Sequence, residues 1–390
     1  MKILISIPYF EPAWGYGGPP RIVSELSKEL AKHHTVRIIT TDVLDKKKRV
    51  EQLHETEGNR EIFRYRTISN MLAWKTKIIL PRGLNTTTLI NHVSWADFIY
   101  LSDLRHALNA KIFPFLKKFQ KPYCLSAFGQ IQKPKDSKYL LKVLFDVLIG
   151  RKLVQQAKAL LAQTQHEVQD YQTMGGKKER IHIIPLAAQK TIEIISEDTI
   201  NAFCQKYHIE KTTKLLLFVG RIHKLKGIDT IMYALNKLPL ALKHQTKLII
   251  VGRDDGYQPT MRKCIDRCHL RDNIIETGPL YGAENAVAYQ VADLFVFAPD
   301  FYEETSLAAV RALSFGVPVI TVPQAEMPYL DAMHAGITTQ NTPVDLANAI
   351  TTALTKENLL PHMKQSAKEL FRTHYTIESM AEKIEKIAEK

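Results

Sequence analysis

Short apolar runs rich in β-branched residues alternate with helix-period segments along the whole chain, and most runs end in a loop of glycine, proline or charge. That alternation demands strands joined by crossover helices, and therefore parallel sheets. In the first half the runs place strands at Ile3–Pro8, Thr35–Thr41, Phe98–Leu101, Tyr123–Ser126, Ala159–Gln163 and His182–Pro185. In the second they place Lys214–Val219, Lys247–Val251, Ile274–Thr277, Leu294–Ala298 and Pro318–Thr321. Helices are predicted over Arg21–His33 and Tyr139–Gln156, then over Ile228–Leu238, Thr260–His269, Asn285–Val291 and Leu307–Phe315, with a last one at Ile377–Glu389. A chain of 390 residues, 45% hydrophobic, is too long for one core and suits two domains. We expect them at 1–188 and 189–370, with the polar stretch 186–213 holding the connection and 371–390 forming a terminal segment.

Charge separates the halves. Residues 1–190 hold 31 Lys+Arg against 16 Asp+Glu, whereas the remaining 200 hold 22 against 24. One half therefore faces something anionic. Nucleic acid is disfavoured, because no aromatic-interleaved basic motif, zinc-finger spacing or basic zipper is present. An anionic membrane surface or a phosphate-bearing acceptor fits better. The basic excess concentrates in residues 101–160, with 12 Lys+Arg against 3 Asp+Glu, around the apolar run Tyr139–Ile149. The sequence favours a core-packing helix there, with an interfacial surface as the sharper alternative. No apolar run approaches the ~20 residues of a membrane span, and MKILISIPYF reads as a first strand rather than a leader peptide. Four cysteines give no disulfide framework, and Cys264 and Cys268 lack a second ligand pair for a metal. We expect a cytoplasmic protein, with peripheral contact at the inner membrane face left open.

In open α/β sheets ligands bind beyond the carboxyl ends of the strands, so the loops there carry the candidate chemistry. Ala298–Ile320 reads as strand end, acidic loop, amphipathic helix and Gly-Val-Pro turn, with Glu303 placed to accept hydrogen bonds from a polyol. The helix start at Ser306 and Leu307 offers free N–H groups to an anion. After another strand, Gly220 leads into Arg221, Lys224 and Lys226, cations suited to a diphosphate. Gly17 and Gly18, between Trp14 and Arg21, permit a close backbone approach to a ligand. Gly252 and Asp254 follow a third strand, and Leu280 lies in a tight turn after a fourth. Asp103, Arg105, Gly129 and Gln130 are polar or flexible positions at strand ends of the first half.

Taken in order, these segments resemble family 4 retaining glycosyltransferases of the GT-B superfamily, over nearly the whole chain. Glu303 with Gly316-Val317-Pro318-Val319, the Gly220-Arg221…Lys226-Gly227 signature and the Gly17-Gly18 loop carry the resemblance. It implies an α/β GT-B fold: two Rossmann-like domains facing each other across a cleft, the first on the acceptor side and the second holding the donor, with a C-terminal helix crossing back to the first. The implied reaction moves a hexose-type sugar from a nucleotide diphosphate sugar to a glycan or lipid-linked acceptor. The setting it suggests is polysaccharide or lipopolysaccharide assembly. Arg221 and Lys226 would hold the diphosphate, Glu303 the sugar, Gly17 and Gly18 the phosphates and acceptor, and the backbone near Leu280 the base. Gly252 and Asp254 match positions around the nucleobase and ribose. No cofactor or metal is expected, since the cations stand in for Mg²⁺.

Two positions depart from the pattern. Arg311 stands where the family has a second glutamate for the ribose, and Phe128 where a His or Arg usually contacts the sugar. They keep open a non-catalytic relative that binds a sugar nucleotide or a partner enzyme. A sugar-nucleotide epimerase or a pyridoxal-phosphate phosphorylase of the same fold is a more distant alternative.

Overall fold

Ile3, Leu4 and Ile5 are fully buried, as a strand covered on both faces requires. They belong to β1 (Lys2–Ser6) of the computed structural model, which describes residues 1–132, 138–188, 195–303 and 305–390. With β1 stand β2 (Thr35–Thr41), β3 (His54–Glu57), β4 (Arg60–Tyr65), β5 (Phe98–Ser102), β6 (Tyr123–Ser126), β7 (Ala159–Ala162) and β8 (Ile181–Ile183). Their order is β3-β4-β2-β1-β5-β6-β7-β8, and every neighbouring pair is parallel except β3 with β4. The order reverses between β1 and β5, which makes the mouth between them the switch point of this sheet.

The helices of this first stretch of the chain, among the described residues, are α1 (Gly18–Leu30), α2 (Asn70–Thr76), α3 (Thr86–Trp95), α4 (Ala107–Lys118), α5 (Tyr139–Phe145), α6 (Arg151–Gln156) and α7 (Gln165–Thr173). Pro19 and Pro20 sit in the first turn of α1, where their missing N–H groups cost nothing, so the helix starts three residues before the expected Arg21. The predicted helix Tyr139–Gln156 is present, but a π-turn at Asp146–Gly150 joins α5 to α6. Its second half packs into the core through Leu153 and Val154, but α5 and the π-turn do not as the sequence favoured. Asp146 is buried and bound to Arg105 by two 2.8 Å contacts, while Leu140, Leu141, Leu144, Val147 and Leu148 face solvent. Arg105, a polar candidate from sequence, is spent on this anchor.

The second sheet contains β9 (Lys214–Val219), β10 (Thr246–Val251), β11 (Ile274–Gly278), β12 (Leu294–Phe297), β13 (Val319–Thr321) and β14 (Gly336–Thr338), in the order β11-β10-β9-β12-β13-β14. All pairs are parallel and the switch point lies between β9 and β12. Its helices are α8 (Glu197–Lys206), α9 (Ile228–Asn236), α10 (Leu240–His244), α11 (Gln258–Arg267), α12 (Gly282–Val291), α13 (Leu307–Ser314), α14 (Pro343–Thr355) and α15 (Leu359–Leu370). The stretch 186–213 is less irregular than expected, since it holds α8; residues 189–194 of it lie outside the described residues.

The chain divides into two compact units, Met1–Ala187 with Ile377–Lys390, and Ala188–Thr376. The last helix, α16 (Ile377–Glu389), packs on α1 of the first unit, where His34 Nε2 lies 3.0 Å from Glu385 Oε1 and Lys158 donates to the Ala388 carbonyl. The return begins at 377 rather than 371. Phe371 and Tyr375 are buried in the second core, and the Tyr375 hydroxyl donates to the Pro328 carbonyl at 2.9 Å. The fold is thus α/β with two largely parallel sheets.

Candidate functional site

The loops leaving β9 and β12 meet at the switch point of the second sheet. After β9 the chain makes a 3-10 turn, Lys224–Lys226, in which His223 Nδ1 accepts the Leu225 N–H. Gly227 ends the turn with φ +67°, and a Cβ built there would lie 1.6 Å from the Ala298 carbonyl oxygen. Only glycine combines this left-handed conformation with so close an approach. Asp300 N–H donates to the Leu225 carbonyl, fastening the second loop to the first. Lys226 Nζ is thereby carried to 2.6 Å from both carboxylate oxygens of Glu303. The Lys226 side chain is 13% exposed and that of Glu303 25%. Water still reaches the pair, so its net contribution is on the order of 1 kcal/mol. Glu303 N–H donates to the Gln324 carbonyl at 2.7 Å. Thr305 Oγ1 and Gln324 Oε1 are buried without a hydrogen-bond partner among the described residues. Neither was read from the sequence, because a lone Thr or Gln carries no spacing signal.

The other candidates of this unit surround that pair in the chain but differ in what occupies them. Arg221 is exposed and pairs with Asp255 at 2.5 Å. Asp254 Oδ1 accepts the N–H groups of Gln258, Tyr257 and Gly256, which hold its carboxyl below the usual carboxylate range. These bonds close a turn that leads into α11, so the strongest visible role of Asp254 is local. Gly252 is compelled by packing: a Cβ would lie 1.7 Å from the Gly220 carbonyl oxygen, where the ends of β9 and β10 touch. Leu280 is buried after β11, beyond the left-handed Gly278. Ser306 caps α13, its Oγ accepting the Ala309 N–H, and Leu307 is the first helical residue. Lys224 is a surface residue.

Arg311 lies in the last turn of α13 and makes no ion pair with Glu303, whose two oxygens face Lys226. Its guanidinium lies 5.5 Å from the Tyr289 ring and 6.0 Å from that of Phe315, and its buried Nε has no partner among the described residues. Pairing of Arg311 with Glu304 falls outside the described residues.

In the first unit, Gly17 caps α1 at φ +119° and Gly18 is the first residue of that helix. A Cβ at Gly15 would lie 3.1 Å from the Trp74 ring of α2. Phe128 and Gly129 are consecutive left-handed residues after β6, and the Gly129 N–H is taken by the buried carboxylate of Glu167 at 2.8 Å. Asp103, also left-handed, follows β5 at the switch point of the first sheet. It is fully buried, and neither oxygen has a partner with hydrogen-bond geometry among the described residues. Burial pushes its pKa up to about 7, although the nearby Tyr9 and Gln130 side chains pull it down.

A cation and a carboxylate beside a helix start can bind an anion and a hydroxylated ring at adjacent positions. Comparison with known proteins points the same way. Residues 200–370 match the family model for "Glycosyl transferases group 1". D-inositol 3-phosphate glycosyltransferase of Xylanimonas cellulosilytica is 28% identical over 182 residues, 45% of this chain and 42% of that protein. Lipopolysaccharide glucosyltransferase WaaG of Escherichia coli is 28% identical over 168 residues, 42% and 43% of the two chains. The aligned regions thus span less than half of these relatives. The fold match is wider. The structure of Anabaena Alr3699/HepE in complex with UDP superposes with a TM-score of 0.69 at 15% identity, covering 99% of each chain. That of WaaG gives 0.63 at 18%, again covering 99% of each. The resemblance read from the motifs holds, and the α/β fold is that of GT-B glycosyltransferases.

Proposed function

We propose that this chain, similar to group 1 glycosyltransferases through residues 200–370, transfers a hexose-type sugar from a nucleoside diphosphate donor to an acceptor hydroxyl with retention of configuration. The observation that carries the reading is the Lys226–Glu303 contact at the switch point of the second sheet. On this account the donor's β-phosphate takes Lys226, aided by Arg221 and the amides at Ser306 and Leu307, and frees Glu303 to accept hydrogen bonds from the sugar hydroxyls. The bond from the anomeric carbon to the β-phosphate oxygen breaks, and a bond to the acceptor oxygen forms on the same face. The acceptor proton passes to the departing phosphate, so no side-chain base is required. Cation charge aimed at the developing diphosphate lowers the barrier without a metal. A UDP-bound fold relative supports a nucleotide donor. The names of WaaG and the inositol phosphate enzyme support a glycan, glycolipid or lipopolysaccharide setting.

The test is incubation with a panel of nucleoside diphosphate hexoses, with and without candidate acceptors, following diphosphate release and the anomeric signal of the product by NMR. Transfer with retention supports the reading. Binding without turnover on any acceptor favours a non-catalytic relative, a reading to which Arg311 in place of a ribose-binding carboxylate lends some weight.

A further inference from the structure

The helix α5 and its π-turn are turned inside out for a protein in water. Spacing of three and four puts Leu140, Leu144, Val147 and Leu148 on one face, and these are 79%, 54%, 61% and 56% exposed. The packed face instead carries a charge, Asp146, held by Arg105. This anchor fixes which side faces out, so the exposure is built in.

A second apolar cluster lies beside it. Ile68, Met71, Leu72 and Leu80 are exposed on and around α2, with Ile68 N–H donating to the Leu80 carbonyl. Lys138, at the start of α5, donates to the Thr76 carbonyl at the end of α2, with Nζ 2.6 Å from the oxygen. The contact sets the two clusters side by side, and together they hold eight of the seventeen large exposed hydrophobic side chains among the described residues.

Charge decides what the patch meets. Residues 62–96 contain no Asp or Glu, and the one acid between 138 and 158 is the buried Asp146. Exposed cations stand around the apolar surface, with Arg66, Lys75 and Arg82 near α2 and Arg151 and Lys152 beyond the π-turn. A neutral apolar partner would explain the leucines but not the excess of cations beside them, and a polyanion would explain the cations but not the leucines. No helix of the described residues is long and apolar enough to cross a membrane. We infer that the first unit docks onto an anionic bilayer through this patch, with α5 and α2 lying in the interface and the cations among the head groups. The patch adjoins the Gly17-Gly18 loop through Trp74, which packs on Tyr16 edge to face at 5.3 Å. A bilayer-borne acceptor would thus be presented beside that loop; this last step rests on the proposed function, and the docking does not.

The full chain would be sedimented with vesicles of phosphatidylcholine alone and of phosphatidylcholine with about 30% phosphatidylglycerol, at low and at physiological salt. The anionic vesicles should bind it roughly tenfold better or more, with a loss of binding as salt rises. The triple variant Leu140→Ser, Leu144→Ser, Leu148→Ser should lose roughly tenfold or more of that binding, and Arg151→Gln with Lys152→Gln should lose the anionic preference. Unchanged melting temperatures and unchanged binding of UDP would show that neither variant disturbs the fold or the second unit. Equal partition onto both vesicle types, or wild-type binding by the triple variant, overturns the inference. So does a stable dimer in solution that the triple variant dissociates, since a second copy would then cover the patch.

Discussion

Lys226 Nζ stands 2.6 Å from each carboxylate oxygen of Glu303, so the cation assigned to the diphosphate and the carboxylate assigned to the sugar neutralise one another. On the proposed function a donor breaks this contact to bind, and breaking it deploys both groups. Glu303→Gln removes the competitor for Lys226 while keeping the shape of the side chain. Calorimetry should show UDP binding tightened by about two- to fivefold, the size of a partly solvated ion pair, while sugar transfer falls. Weaker UDP binding would mean that Glu303 contacts the nucleotide itself.

Gly227 sets the position of Lys226. Alanine there puts a methyl group 1.6 Å from the Ala298 carbonyl oxygen in a left-handed conformation, so the two loops must separate. Gly227→Ala should cost about 2–4 kcal/mol in thermal or denaturant unfolding. Gly256→Ala is the control: it has a comparable φ of +86° and open space around it. It should cost about 1 kcal/mol. Equal losses in the two variants would show that close contact at Gly227 is unimportant.

Much of this was legible in the sequence, and what was not has physical causes. β2, β6, β9 and α16 begin and end where the apolar periodicity places them. The hairpin of β3 and β4 went unread although Gly58-Asn59 is a two-residue turn signal, because His54–Glu57 is polar and shows no strand alternation. β14 is three residues long and too short to carry a pattern. Lys226, Glu303 and Arg221 were singled out from motif and strand-end position. Their pairing was not, because it depends on a backbone approach at Gly227 that no spacing rule encodes. The orientation of α5 was misjudged for a related reason. An apolar stripe says that a face is apolar, and the ion pair between Arg105 and Asp146, 41 positions apart, decides which way it points.

Arg311 can only donate hydrogen bonds, so it cannot replace a carboxylate that accepts them from ribose hydroxyls. Arg311→Glu gives up its stacking on Tyr289 and Phe315 at about 0.5–1 kcal/mol of stability. The variant should fold and should bind UDP more tightly than the wild type in calorimetry. Weaker binding would show that Arg311 contacts the nucleotide directly.

Asp103 makes stability depend on pH. Its carboxyl rises from the ordinary 3.8 to about 7 on folding, through burial. Between these values the folded chain keeps a proton that the unfolded chain has lost, so stability falls as pH rises across the window, and the penalty is full above it. Asp103→Asn carries no such penalty. Its melting temperature should exceed the wild-type value at pH 8, by about 2–4 °C for each kcal/mol relieved, and the gap should narrow toward pH 4. A gap that is constant with pH would show that Asp103 is ionised in the folded protein.

The most direct test of the site is sugar transfer by Lys226→Ala, measured beside UDP affinity with the donor and acceptor that the wild type uses. The account predicts turnover lower by roughly 100-fold or more, as for loss of one charge contact to a leaving group in a shielded site. The circular dichroism spectrum should be unchanged and UDP binding weakened. Transfer at the wild-type rate by a folded Lys226→Ala protein would contradict it.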